Sequence, residues 1–319
     1  MKQFFVEMRV MAKCIPAALL LLFGSSIAPL SAKEPAPALE LLVLGSGGPG
    51  AAGRAASSYL VFVDGKARIL VDAGPGSFAR LGEAHTSLSN TDLVLLTHLH
   101  IDHVGELPGL FKARVVATSG PIVFNVWGPG GAPEHGADAY FPGTREFVQM
   151  LFGRKGAFAY LQDFSAPMTI HAHDVASAET LAPRELVQEG DLKVTAILGH
   201  HGDAPAVIYR IDHTGKSITF SGDIDAHGLP ALRTIAAGTD LLVFNCVVLD
   251  PPGSPAILYT LHTPPQAIGL LAKEVGTRAL LLSHISPAVD EMESAVTASI
   301  RRNYPASTAF AKDGMRVRP

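Results

Sequence analysis

Apolar residues along this chain fall mostly into short, unbroken runs. Leu39 to Leu44, Ser58 to Val63 and Ala67 to Asp72 are separated by Gly-rich turns, and Leu192 to Leu198, Ala206 to Ile211 and Ser217 to Phe220 repeat the rhythm later. Runs of this length, bounded by turn residues, predict strands. Leu93 to Thr97, Leu241 to Phe244 and Ala279 to Ser283 are apolar enough to predict strands buried on both faces. Helices are predicted between them at Gly76 to Leu81, Gly105 to Arg114, Leu229 to Ala237, Pro265 to Glu274 and Val289 to Arg301. Strand runs followed by helices, given twice, predict an α/β protein with two packed sheets flanked by helices.

The stretch from Ser119 to Glu189 breaks this rhythm. It carries Trp127, Tyr140, Phe141, Phe147, Phe152, Phe158, Tyr160 and Phe164 among many Gly and Pro. An irregular, aromatic-rich insert over residues 119–189 is the expectation, either covering a small core of its own or walling an active site.

The amino-terminal residues have a different character. Lys2, Arg9 and Lys13 precede the apolar stretch Ile15 to Phe23, and small residues continue to Ala32, which is the layout of a secretory signal peptide. The stretch is too short to span a bilayer. The sequence therefore predicts a signal over residues 1–32, a single domain over 33–319, and a periplasmic or secreted protein with no membrane attachment after cleavage. Pro35-Ala36-Pro37 reads as a short tether.

The formal net charge of the full chain is −4. Loss of residues 1–32 removes Lys2, Arg9, Lys13 and Glu7, which leaves −6. That acidity, with export, leads to the expectation of no nucleic-acid partner, because polyanion binding relies on Lys and Arg at phosphates. Only Cys246 remains after cleavage, so no intrachain disulfide is expected.

Candidate chemistry concentrates in Thr97-His98-Leu99-His100-Ile101-Asp102-His103-Val104-Gly105-Glu106-Leu107. Four metal-capable side chains stand there within six positions, directly after a predicted buried strand. In an extended segment His98 and His100 point the same way, whereas Asp102 and His103 can turn toward a neighbouring position. His200-His201, Asp223 in Phe220-Ser221-Gly222-Asp223, and His284 in Ser283-His284-Ile285-Ser286 each lie just past a predicted strand, where α/β sheets gather functional groups. Imidazole and carboxylate are zinc ligands, and a catalytic zinc keeps one position open. His85, His135, His171, His173, His213 and His227 lack such a context and read as surface or turn residues.

In combination these motifs resemble the metallo-beta-lactamase superfamily, in its branch of ribonuclease Z, exported arylsulfatases and phosphodiesterases. Leu44-Gly45-Ser46-Gly47-Gly48-Pro49 with Arg54 and Ser57-Ser58, Val71-Asp72-Ala73-Gly74, the His98 to His103 cluster, His201-Gly202, FSGD, Leu261-His262-Thr263-Pro264-Pro265-Gln266-Ala267 and Ser283 to Ser286 follow in the family's order. The resemblance implies an αββα four-layer sandwich and two Zn2+ ions, with iron or manganese as alternatives. His98, His100 and His201 would hold one ion and Asp102, His103 and His284 the other, with Asp223 bridging. His201 fits the family spacing better than His200. A water shared by the ions would be the nucleophile, Asp102 or Asp223 would orient it and take its proton, and His262 would assist the leaving group.

Two departures from ribonuclease Z stand out. That family carries a Glu where this chain has Asn245, which cannot ionise, and Asp223 follows His201 by only 22 positions, too few for the arm that grips transfer RNA. The expectation is thus an exported dizinc hydrolase of small esters, aryl sulfates or phosphodiesters, acting as a monomer or homodimer. A lactonase on the same fold and a metal-binding protein with degenerate catalysis are the alternatives.

Overall fold

A computed structural model describes residues 36–50, 53–132, 140–175 and 182–319. The predicted signal over 1–32 and His135 lie outside the described residues. Residues 36–319 form one unit. Its chain begins with β1 (Leu39–Gly45), β2 (Ser58–Val63), β3 (Lys66–Val71), β4 (Leu93–Leu95), β5 (Ile122–Pro129) and β6 (Met168–Val175), which lie side by side in one sheet. A second sheet runs in sequence order through β7 (Arg184–Glu189), β8 (Leu192–Leu198), β9 (Val207–His213), β10 (Lys216–Phe220), β11 (Leu241–Asn245), β12 (Ala279–Ser283) and β13 (Ser307–Phe310). The short β14 (Arg316–Val317) returns to the first sheet beside β1.

Alternate residues of the apolar strands feed two different cores, which is why those strands show no polar alternation. Leu39, Leu41 and Val43 of β1, with Leu93 and Leu95 of β4, meet Val194, Ala196, Leu241 and Val243 of the other sheet in the central layer. Leu42, Leu44 and Val94 face outward instead and pack under Leu81, Leu107, Leu110 and Phe111. Those residues belong to or flank α1 (Ser77–Glu83), the single turn α2 (Ile101–Val104), α3 (Leu107–Ala117) and α4 (Thr144–Phe152). On the opposite side Leu242, Phe244, Leu280 and Leu282 are covered by α5 (Leu229–Ile235), α6 (Pro265–Val275), α7 (Pro287–Glu291) and α8 (Glu293–Arg301). Helix, sheet, sheet, helix is the αββα order expected from the sequence.

Local signals set the helix ends. α6 starts at Pro265, whose fixed φ suits a first helical position, and stops at Gly276, which takes the left-handed conformation at φ 68°.

Residues 119–189 differ from expectation. Among the described residues there, β5 and β6 pair in parallel over eight positions, from Ile122 with Met168 to Pro129 with Val175, and α4 packs against them. The β5 alternation of buried Ile122, Phe124 and Val126 was present in the sequence but masked by surrounding Gly and Pro. β6 forms the edge of its sheet, so His171, His173 and Asp174 interrupt any apolar run there. The aromatics join the main structure. Phe124 stacks on Phe111 with ring centroids 3.9 Å apart, and Phe152 lies 5.0 Å from Phe111 on its own account.

The C-terminal residues, also absent from the predicted elements, clamp the start of the chain. Asp313 accepts hydrogen bonds from the backbone N–H and hydroxyl of Ser46, from Ala55 N–H and from Arg80 Nε, at 2.7 to 3.0 Å. Glu40 on β1 pairs with Arg316 at 2.5 Å and Arg318 at 2.8 Å.

Two outcomes follow from this packing. Phe111→Ala empties the middle of a three-ring stack and is expected to destabilise the fold by about 3–5 kcal/mol, read by urea denaturation. Burial pushes the Glu40 carboxyl up, but Arg318 and Arg316 outweigh it and hold the group below the usual carboxylate range. Its stabilisation is therefore complete at neutral pH and disappears as pH falls through the folded-state value. Glu40→Gln should lower the thermal midpoint at pH 7 and converge with the parent protein in acid.

Candidate metal centre

The site forms where the carboxyl ends of strands from both sheets meet. β3 and β4 are parallel, as are β10, β11 and β12, and β8 shares the β10 direction because both run antiparallel to β9. Asp72, His98 to His103, His201, Asp223, Asn245 and His284 all follow at the ends of these strands. The backbone is forced there: Asp72 and His284 adopt left-handed φ of 55° and 54°, costly for residues with a Cβ. Gly48 lies under His284, and a Cβ on it would come within 3.1 Å of that ring. Gly222 in FSGD is left-handed at φ 57°, and a Cβ there would stand 2.8 Å from Thr97.

Asp223 is the centre of the arrangement. Its Oδ2 lies 3.5 Å from His284 Nε2, 3.7 Å from both His103 Nε2 and His201 Nε2, and 3.9 Å from His98 Nε2 and His262 Nδ1. His98 Nε2 and His100 Nδ1 stand 3.0 Å apart, and His284 Nε2 is 3.1 Å from Asp102 Oδ2. Two ligands of one tetrahedral zinc, each at about 2.1 Å, are separated by roughly 3.4 Å. Most of these spacings suit neighbours around a shared ion.

Donor chemistry gives the same answer. His103 Nε2 and His262 Nδ1 are buried without any hydrogen-bond partner, a costly state that a cation would relieve. His98, His100 and His201 form one metal-capable group, and Asp102, His103 and His284 another. His98, His103 and Asp223, and His201, Asp223 and His262, also qualify. The residues present fit divalent metal.

The far side of each ring is held in place. His201 Nδ1 bonds Leu261 O at 2.8 Å, which leaves Nε2 facing Asp223. His103 Nδ1 bonds Asp72 Oδ2 at 2.8 Å, and Asp72 also accepts from Thr97 N–H and Thr97 Oγ1 at 2.8 Å. Such outer partners orient a ring and raise its basicity. Thr263 Oγ1 donates to Ile224 O at 2.9 Å and ties the His262 loop to the Asp223 loop.

Burial, with His103 adding to it, holds His98 well below the usual imidazole range, and burial lowers His100 and brings His262 down to about 4. These three are free bases at neutral pH. Burial also pushes His103 down, but the Asp72 carboxylate overrides it and raises the ring to about 9. Burial pushes Asp223 up, yet the surrounding imidazoles, His284 and His103 foremost, outweigh it and keep the carboxylate ionised well below its ordinary range. Asp102 follows the same pattern, with the His284 hydrogen bond decisive.

All seven residues singled out as ligands meet here, and His262 meets them. The choice between neighbours falls to His201: His200 turns away, its side chain 47% exposed and its Nδ1 bonded to Asp225 at 2.8 Å. His173 stacks on Trp127 at 4.1 Å, on the β6 edge and not in a turn. Sequence reasoning gave no role to Asp72, although its isolated charge at the end of an apolar strand was a signal. It also read Asn245 only as a lost acid, whereas Nδ2 of that residue donates to Asp223 Oδ1 at 2.6 Å.

Comparison with known proteins fits this geometry. The profile of the beta-lactamase superfamily domain matches residues 67–285. The chain belongs to that superfamily, in its metallo form, and is a metal-dependent hydrolase. A ribonuclease Z of Mycobacterium sp. (strain KMS) is 28% identical over 263 residues, covering 79% of this chain and 85% of that protein. The human short-form tRNase Z superposes with a TM-score of 0.65 at 20% identity, over 88% of this chain and 99% of the other. Zn2+-bound PqqB from Methylobacterium extorquens does so with 0.60 at 17% identity, over 87% and 99%.

The expectation of no nucleic-acid partner is corrected by the ribonuclease Z and the tRNase Z, which are named for action on RNA. Formal net charge was a poor guide, because it sums over the whole surface and omits the positive charge that bound cations bring to a site. Among the described residues no helix is long and apolar enough to cross a membrane.

Asp72→Asn keeps the size of the group but removes the charge that steadies His103. It is expected to weaken metal binding at the Asp102, His103 and His284 group about 10–100-fold, measured by competition with a chromophoric chelator.

Proposed function

We propose that this chain hydrolyses phosphodiesters, RNA among them, at a two-zinc centre. In this reading His98, His100 and His201 hold one ion, Asp102, His103 and His284 the other, and Asp223 lies between. The observation that carries it is the single Asp223 oxygen within 3.5 to 3.9 Å of imidazoles from both groups. Zinc is favoured by the imidazole-rich donor set and by the zinc-bound relative of the same fold. When bound, paired cations supply a nucleophile at neutral pH and polarise the phosphoryl oxygen.

The chain's own residues do the rest. Asp102 or Asp223, both ionised, orients the attacking water and accepts its proton. His262 is a free base at neutral pH with an unpartnered Nδ1, and it meets the leaving oxygen as a hydrogen-bonding group. Ile101, 76% exposed between His100 and Asp102, and Phe141, with its ring 6.4 Å from that of His100, give the mouth an apolar side. Such a wall suits aryl groups or nucleobases, which present flat apolar faces.

The test is a panel of bis-nitrophenyl phosphate, a short RNA, nitrophenyl sulfate and an acyl-homoserine lactone, offered to metal-free and zinc-restored protein. Zinc-dependent turnover of the phosphodiesters is expected, and Asp223→Ala should reduce it on the order of 10³-fold. Turnover of the sulfate or the lactone with both phosphodiesters untouched would sink the proposal.

A further inference from the structure

We infer that Asn245 is a positioning residue that fixes the orientation of the Asp223 carboxylate, holding one oxygen toward the metal-capable cluster, and so lets one carboxylate serve both halves of the site. The inference rests on the two-metal reading above. Asn245 closes β11, the strand between those that deliver Asp223 and His284, and stands opposite Ser283 in the β12 register. Its backbone N–H donates to Ser221 Oγ at 3.1 Å, so the residue is fixed to the FSGD turn itself. The side chain is buried, and its Nδ2 donates to Asp223 Oδ1 at 2.6 Å.

Among the described residues this is the one hydrogen bond Asp223 makes through its carboxylate. Oδ1 is thereby committed to the amide, and Oδ2 is turned toward His98, His103, His201, His262 and His284. The two oxygens are equivalent, so a donor on one of them fixes the rotation of the carboxylate about its terminal bond, and with it the direction in which the other oxygen points. An amide supplies that donor and no charge. An acid at position 245 would instead set a second anion against Asp223 in a desolvated place, where like charges repel strongly. The residue that looked like a lost acid is, in this site, the brace of the central carboxylate.

Asn245→Leu, similar in size and without a donor, and Asn245→Ala separate this role from simple packing. Zinc stoichiometry is measured by equilibrium dialysis with elemental analysis, and magnetic coupling between ions in cobalt-loaded protein reports on the bridge directly. The parent protein is expected to bind two ions with coupling. Both variants should still fold without metal, as read by circular dichroism, bind the second ion about 10–100-fold more weakly, and lose the coupling. Two tightly bound, coupled ions in both variants would overturn the inference and leave the two-metal reading intact. A parent protein that binds only one ion would overturn both.

Discussion

A buried carboxylate that must stay charged governs this structure. Asp223 is almost completely shielded from water, and a lone anion there would cost several kcal/mol. It is tolerable only because imidazoles approach it from loops of both sheets and Asn245 donates to its second oxygen. The requirement fixes the architecture around it. The two sheets must end on one edge, their strands must stop within reach of a common point, and the loops must hold unusual backbone angles at Asp72 and His284 to turn their side chains inward.

Much of this is legible in the amino-acid sequence. The β4 run announced a strand buried on both faces, since Leu95 and Val94 enter different cores and neither position can be polar. The ligand candidates were equally legible, because each is a polar residue placed abruptly after an apolar strand. Less visible were contacts that depend on distance in space. Nothing local to Asp313 indicates that it braces Ser46, 267 positions away. Asn245 carried no signal beyond its departure from a family pattern, and the hydrogen bond that gives it meaning exists only once β10 and β11 lie side by side. Edge strands such as β6 and β14 escaped notice because an edge needs little apolar sequence.

The distribution of charge carries a second lesson. A mildly acidic total pointed away from nucleic acid, while relatives across most of the chain bear the name of an RNA-processing enzyme. Three of the acids, Asp72, Asp102 and Asp223, are turned toward imidazoles and do not offer a negative face to a polyanion. Summed charge counts them as if they were on the surface.

The Asp313 clamp has a bearing on how the protein comes into being. During synthesis the first histidines emerge early, His284 follows Asp102 by 182 positions, and the residue that locks the Gly-rich loop beneath His284 arrives later still. A nascent chain therefore displays an incomplete, ion-hungry cluster long before its second half can close over it. The complete set of ligands belongs to the finished molecule, because it exists only once the last strands have docked.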